Sequence, residues 1–354
     1  MNFALIGCGR ISAKHVEAIK AQSGSRLIAC ADPRNDRATE LAERAGCAAY
    51  TDYAEMLEAH PDIDIVSILT PSGLHARHAI DVASRFGKHL IVEKPMALRL
   101  SDADEMIRAC DEAGVRLFVV KQNRFNLPVI RVREALETGR FGRLLMGSVR
   151  VRWRRDQAYY DQDEWRGTWA LDGGVFSNQA SHHVDLLEWM LGDPVSVMAK
   201  TETYLADIEV EDTGVAIIRF RSGAMGVIEA TTATRPRDLE GSLSLLGEKG
   251  TVEIGGFAVN QMKVWEFEDG SDEERRDVFE NAGENPPNVY GFGHTRYLAN
   301  VIESIQRGTR GLVDGLEGRK SLELINALYE SAETGREVSL RYEPRYSRLG
   351  RASQ

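Results

Sequence analysis

Short apolar runs alternate with amphipathic stretches through the first third of the chain. Residues 3–6, 26–31, 63–69, 89–92 and 116–120 are rich in Ile, Leu, Val and Ala and end in glycine, charge or a turn. Between them, residues 12–19, 35–45, 53–58, a segment from the turn at Thr70 to about Phe86, and 101–113 read as helices. Continuous apolar runs alternating with helices predict buried parallel strands in a doubly wound sheet.

The pattern changes after Gln122. Leu127-Pro128 opens a helix expected to reach Thr138, and residues 144–153 read as a strand with Arg150, Arg152 and Arg154 on one face. Those arginines suit either a solvated sheet face or a cationic wall for an anionic ligand. The double-glycine turn at Gly173-Gly174 leads into a helix that Gly192 and Pro194 stop. Period-two segments then follow at 195–204, 213–219, 224–232, 241–246, 251–254 and 263–267, separated by turns such as Arg221-Ser222-Gly223. They predict an antiparallel meander in an open sheet, with one face on helices. An apolar opposite face would make the chain a homo-oligomer, dimer or tetramer. The charged stretch 268–288 reads as a loop. Helices at 295–305 and 321–333, joined through Val313-Asp314-Gly315, and a strand at 337–340 close the pattern, and the polar tail after Pro344 is expected to fray.

The expected fold class is therefore α/β. An N-terminal Rossmann domain (1–122) with a doubly wound parallel sheet precedes a C-terminal α+β domain (123–354) with an open, mostly antiparallel sheet. A length of 354 residues is too great for one ordinary core. Hydrophobic content of 43% and charged content of 28% fit a globular chain, and a net charge of −10 argues against nucleic acid as a partner. No run of about 18 apolar residues exists, so no membrane span is expected. The N-terminus lacks a basic leader and a cleavage site, so no signal peptide is expected. Cys8, Cys30, Cys47 and Cys110 form no C-x-x-C pair; they read as small buried residues of a cytoplasmic protein, with no metal site.

Chemistry enters at the strand ends. Gly7-Cys8-Gly9-Arg10-Ile11-Ser12 is G-x-G-x-x-S between a strand and a helix, the context that a dinucleotide fingerprint requires. Gly7 allows the tight turn, Gly9 lets the backbone approach a pyrophosphate, and Ser12 stands in for the third glycine. Asp32 closes the second strand 23 residues past Gly9, where a carboxylate binds ribose hydroxyls and repels a 2′-phosphate. It favours NAD, although Arg34 nearby could accommodate NADP. The strand at 89–92 runs straight into Glu93-Lys94-Pro95, which delivers a carboxylate and an amine to the ligand-binding edge of the sheet. At helical spacing, Asn178, His182 and Asp185 share a face. His183 faces elsewhere and reads as structural.

Gly7-x-Gly9, Thr70-Pro71-x-x-x-His75 and Glu93-Lys94-Pro95 together resemble the Gfo/Idh/MocA family of sugar dehydrogenases. The resemblance implies that Lys94 is catalytic, that the Lys94–Pro95 bond is cis, and that His75 and Glu93 lie beside the nicotinamide. It extends the expected NAD site to Gly7, Gly9, Arg10, Ile11, Asp32, Arg34, Thr70, Ser72, His75, Glu93, Lys94 and Gln122. The family pattern G-G-x-x-x-D-x-G-x-H-x-x-D is met at Gly173, Gly174, His182 and Asp185, but Asn178 replaces its aspartate and Ala180 its glycine. An amide cannot raise the basicity of His182 as a carboxylate would.

Several longer stretches look like the WlbA/WbpB branch of that family: residues 120–124, 165–169, 178–182, 209–214 and 290–294. That branch oxidises C3 of UDP-N-acetylglucosaminuronic acid with NAD, in surface-polysaccharide and lipopolysaccharide synthesis. The likeness implies a nucleotide-sugar substrate met by Lys94, Arg155, Trp165, Arg166, Asn178, Gln179 and His182. Free imidazole starts with the better reference pKa for taking a proton near neutral pH, about 6.5 against about 10.4 for an amine. A cationic nicotinamide and partial desolvation both favour neutral lysine, however. Lys94 is thus expected to take the proton, with His182 holding the hydroxyl and Asn178 orienting the sugar. Alternative readings are a dehydrogenase of a free polyol or sugar such as inositol, and a non-enzymatic NAD(P)-binding regulator.

Overall fold

A computed structural model describes residues 1–283, 293–340 and 349–350. The chain forms two compact units. The first takes Met1–Lys121 and His294–Arg319, the second Gln122–Gly293 and Lys320–Gln354. A single cut after Gln122 therefore misses the return of residues 294–319 to the first unit.

In the first unit β1 (Asn2–Ile6) leads through the glycine turn to α1 (Ser12–Lys20), then β2 (Arg26–Ala31), α2 (Asn35–Ala45), β3 (Ala48–Tyr50) and α3 (Tyr53–Ala59). Next come β4 (Ile65–Ile68), α4 (His75–Asp81), β5 (His89–Val92), α5 (Leu100–Glu112) and β6 (Leu117–Val119). The strand order is β3-β2-β1-β4-β5-β6, all parallel. Every residue of β4 is buried, as are Leu90, Ile91 and Val92 of β5, the fate of a strand covered on both faces. α2 ends where Gly46 turns to φ +78°, and the Asp52 carboxylate caps α3 by accepting from the Ala54 and Glu55 amides. β3 was not expected: three half-exposed residues at the sheet edge carry no apolar run.

The second unit opens with α6 (Leu127–Glu137) and β7 (Leu144–Arg152), followed by α7 (Gln157–Tyr160) and α8 (Ser181–Leu191). Six strands follow: β8 (Pro194–Glu202), β9 (Thr213–Phe220), β10 (Met225–Thr231), β11 (Glu240–Gly247), β12 (Gly250–Gly255) and β13 (Gln261–Phe267). The chain continues with α9 (Asp272–Asn281), α10 (Gly293–Arg307), α11 (Gly315–Thr334) and β14 (Val338–Ser339). The sheet order is β13-β12-β11-β7-β10-β9-β8-β14. Two three-stranded meanders are thus joined by β7, which pairs antiparallel to β11 and parallel to β10. The expected simple meander is corrected by this insertion, because period-two patterning fixes which face a residue takes, not which strand lies beside it. α8 seats on one face over two glycines: a Cβ at Gly147 would lie 2.9 Å from Leu191, and one at Gly226 3.3 Å from Leu187.

The expected loop at 268–288 is corrected by α9. Ser271 caps it by accepting from the Glu274 amide at 3.1 Å, and Asp272, Glu273 and Glu274 fill its first turn. Only Val278 of this helix is buried, so no apolar stripe announces it. Residues 284–288 of that stretch, Tyr290-Gly291-Phe292, and the tail after Pro344 apart from 349–350 lie outside the described residues. No described helix is long and apolar enough to cross a membrane.

Candidate functional site

The sequence-predicted residues fall in both units. In the first they gather at the carboxyl ends of β1, β2, β4 and β5. Gly7 has φ +99°, and a Cβ there would press to 2.8 Å on the Leu69 backbone. A Cβ on Gly9 would meet nothing within 4 Å, so the chain at the start of α1 faces open space. Ser12 is buried, small enough for the close helix–strand packing that a third glycine allows, and its hydroxyl donates to the Gly9 carbonyl at 2.6 Å. Arg10 is exposed and Ile11 half-buried. Asp32 accepts from the Cys8 amide at 2.8 Å with one carboxylate oxygen and from the Arg34 amide at 2.9 Å with the other. It therefore organises the glycine loop, and an ionised carboxylate has lone pairs left for a ribose hydroxyl. The Arg34 guanidinium reaches Asp36 at 2.7 Å on the surface. These residues fit the pyrophosphate and ribose half of a dinucleotide.

Thr70, Ser72 and His75 lie just past β4, with Ser72 and His75 buried. One ring nitrogen of His75 meets the Thr70 carbonyl and the other the Pro95 carbonyl, both at 2.8 Å. The ring thus bolts the turn after β4 to the Lys94–Pro95 segment, and burial lowers its proton affinity. The Lys94–Pro95 bond is cis, as the resemblance implies. Glu93 is buried, and its Oε2 accepts from the Lys94 amide at 3.1 Å. Its Oε1 accepts from His15 Nε2 at 2.9 Å, with His294 Nε2 at 3.7 Å. Burial alone would raise this carboxyl's pKa, but the two imidazoles hold it well below the usual range. Neither histidine was singled out as a site residue, since nothing in the local sequence ties them to Glu93.

In the second unit, Gln122 is buried at the head of the short turn Gln122–Phe125. Asn178, His182 and Asp185 do not lie on one continuous α-helix. Asn178 lies in a π-helical turn (Val175–Gln179) just ahead of α8, which carries His182 and Asp185. Asp185 is held by Arg124, two contacts of 2.8 Å with both side chains 2% exposed. His182 is buried near the start of α8. His183 is fully buried, lies edge-on to Trp153 at 5.6 Å, and is kept neutral by burial, its pKa lowered to about 4.

A continuous polar chain surrounds Asn178. Arg155 donates to Gln179 Oε1 at 3.0 Å, and Gln179 donates to the Tyr159 hydroxyl and the Asn178 carbonyl oxygen, both at 3.1 Å. Arg166 donates to the same Tyr159 hydroxyl at 2.9 Å and stacks on Tyr159 and Trp165. The Asn178 amide donates to Asp172, whose other oxygen accepts from the Gly167 amide at 2.8 Å. Arg155 and Arg166 also meet Asp238 and Asp163. Tyr159 and Asp172, which link the chain, escaped the sequence reading. Arg150, Arg152 and Arg154 do not join it. Glu240, Glu253, Glu229 and Asp156 neutralise them, so this strand is a salt-bridged sheet face.

Two sequence models of the oxidoreductase family match the chain: its NAD-binding Rossmann fold over residues 1–121 and its C-terminal alpha/beta domain over 133–340. The WlbA dehydrogenase of Bordetella pertussis, solved with NADH and UDP-GlcNAcA, is 45% identical, with 97% of this chain and 98% of that chain covered and a TM-score of 0.91. The WlbA dehydrogenase of Chromobacterium violaceum, solved with the same two ligands, is 44% identical over 97% and 96%, with a TM-score of 0.89. Inositol 2-dehydrogenase of Rhizobium meliloti is 31% identical over 96% of this chain and 99% of its own length.

Proposed function

The chain belongs to the Gfo/Idh/MocA oxidoreductase family, with an NAD-binding Rossmann fold at its N-terminus, and from that premise we propose that it oxidises the C3 hydroxyl of UDP-N-acetylglucosaminuronic acid to the 3-keto sugar. The observation that carries the substrate is the 45% identity, along nearly the whole length, to a dehydrogenase solved with NADH and UDP-GlcNAcA; the inositol dehydrogenase is less similar. Bound NAD supplies the hydride acceptor. Gly7, Gly9, Arg10 and Ile11 hold the pyrophosphate, and Asp32 with Arg34 the adenosine ribose. Thr70, Ser72, His75 and Glu93 shape the nicotinamide end. Lys94 takes the hydroxyl proton, His182 donates a hydrogen bond to the sugar, and Asn178 with Gln179 orients it. Arg155, Trp165 and Arg166 receive the anionic part of the nucleotide sugar.

The assay is nicotinamide absorbance with UDP-GlcNAcA and NAD. Reduction of NAD is expected; a higher kcat/KM for a free inositol would overturn the substrate. Assembly is part of the reading. Met198 opposes Ile217, and Met225 opposes Met146, which opposes Leu246, all exposed on the sheet face away from α8. A homodimer or homotetramer through that face buries them, and a monomer by light scattering at micromolar concentration would refute it. We place the enzyme in the cytoplasm, in surface-polysaccharide synthesis.

A further inference from the structure

Three parts of the first unit meet at Glu93. His15 comes from α1, Glu93 from the end of β5, and His294 from α10. The three side chains are at least nine-tenths buried, and their ligating atoms lie within 4.8 Å of one another. The imidazole rings stand edge to face, centroids 5.8 Å apart. An ionised carboxylate only accepts hydrogen bonds, so His15 must turn an N–H toward it. Oε1 is occupied by the imidazoles, and Oε2 by the amide of the next residue, Lys94. The other charged and titratable groups coupled to this cluster are His75 of α4, on which Lys94 also acts, Tyr297 of α10 and, on His294, Lys14 of α1.

We propose that His15 and His294 are positioning residues that keep Glu93 an anion and so fix the backbone from which the Lys94 side chain leaves the sheet edge. The proposal rests on the reading of Lys94 as proton acceptor. A buried carboxylate without donors takes a proton. Once protonated it becomes partly a donor, and its hold on the Lys94 amide weakens. Activity would then follow the protonation of Glu93, a group that itself exchanges no proton with substrate.

The test is the pH profile of kcat and kcat/KM with UDP-GlcNAcA and NAD for the wild type, His15→Leu, His294→Leu, His15→Gln and Glu93→Gln. The ionisation of Glu93 is followed separately by carboxyl infrared difference spectra. His15→Leu and His294→Leu should move the acid limb up by at least about one pH unit, the first through loss of a charge-stabilising hydrogen bond and the second through loss of a nearby imidazole. At neutral pH each should cost roughly 10- to 100-fold in kcat, recovering as pH rises. His15→Gln, which keeps an amide donor, should restore most of the profile. Glu93→Gln should be slow at every pH. In the spectra Glu93 should stay ionised in the wild type and titrate at higher pH in both leucine variants.

A uniform, pH-independent loss in the leucine variants, or Glu93 ionisation unchanged in them, overturns the proposal. One zinc ion per purified chain, lost on His15→Leu, also overturns it in favour of a metal centre. A wild type that does not oxidise the nucleotide sugar refutes the substrate reading alone, because the spectra report on Glu93 without turnover.

Discussion

The Lys94 edge and the Asn178 turn carry the proposed chemistry on two different kinds of support. At Lys94 the orienting groups are buried and reach the backbone: His75 meets the Thr70 and Pro95 carbonyls, and Glu93, itself held by His15, accepts from the Lys94 amide. Around Asn178 the side chains hold one another, from Arg155 through Gln179 and Tyr159 to Arg166. Backbone-anchored support places one group in one position. A side-chain chain distributes charge and shape over a larger ligand, and its members give way in steps. Substitutions at the edge should therefore act on the chemical step, and those in the chain on substrate affinity.

The largest expected effect lies at the edge. Lys94→Ala should lower kcat by at least about 10³-fold, in the upper part of the range for a lost general base. His182→Asn, which keeps a polar group, should cost less. If Lys94→Ala keeps most of its activity while His182→Asn abolishes it, the roles are exchanged.

The next concerns what lies under the Asn178 turn. Tyr329 accepts from the Gly174 amide at 3.0 Å and donates to Glu211 at 2.7 Å, and Glu211 also accepts from the Phe176 amide. Burial pushes the Glu211 carboxyl up to about 7, against the opposing hydrogen bonds of Tyr329 and Phe176. Its folded-state pKa lies above the unfolded value, so its contribution is complete below about pH 4.5 and is lost as pH rises through about 7. Between pH 5 and pH 8 this amounts to about 2.5 kcal/mol. Urea unfolding should show that loss in the wild type and a flatter dependence in Glu211→Gln. Equal slopes in the two proteins would remove Glu211 as the cause.

Arg166→Ala should weaken nucleotide-sugar binding by about 1.5–3 kcal/mol, the loss of a charged hydrogen bond, and leave NAD affinity unchanged. Unaltered kinetics would make Arg166 a purely structural partner of Tyr159 and Trp165. The smallest effect expected is cofactor choice. Asp32 should disfavour a 2′-phosphate, and a preference for NADP of about tenfold or more, about 1.4 kcal/mol, would mean that Arg34 dominates.

The first unit was legible because its signals are local. Buried parallel strands are continuous apolar runs, and Gly7-x-Gly9, Asp32 and Glu93-Lys94-Pro95 each follow their strand within a few residues. The second unit hid what depends on distance along the chain. Asp185 belongs to Arg124, 61 residues earlier, and β7 slips between β10 and β11. The π-helical turn at Val175–Gln179, ahead of α8, left no mark in the helical periodicity. α9 could have been found from Ser271 and Glu274, a capping pair without an apolar stripe. No local signal tied His15 or His294 to Glu93, because only the fold brings them together.

The return of residues 294–319 to the first unit has a consequence for how the protein is made. Val119 donates to the Val313 carbonyl at 3.2 Å, Arg116 reaches the Ser304 carbonyl at 2.8 Å, and Phe118 bridges to Asp314. These contacts cover β6, the edge of the parallel sheet. On the ribosome, at about 5–20 residues per second, the covering segment emerges roughly 10–40 s after Lys121. Until then the outer edge of Leu117, Phe118 and Val119 in the nascent sheet stands unpaired, a ready surface for a chaperone or for another nascent copy.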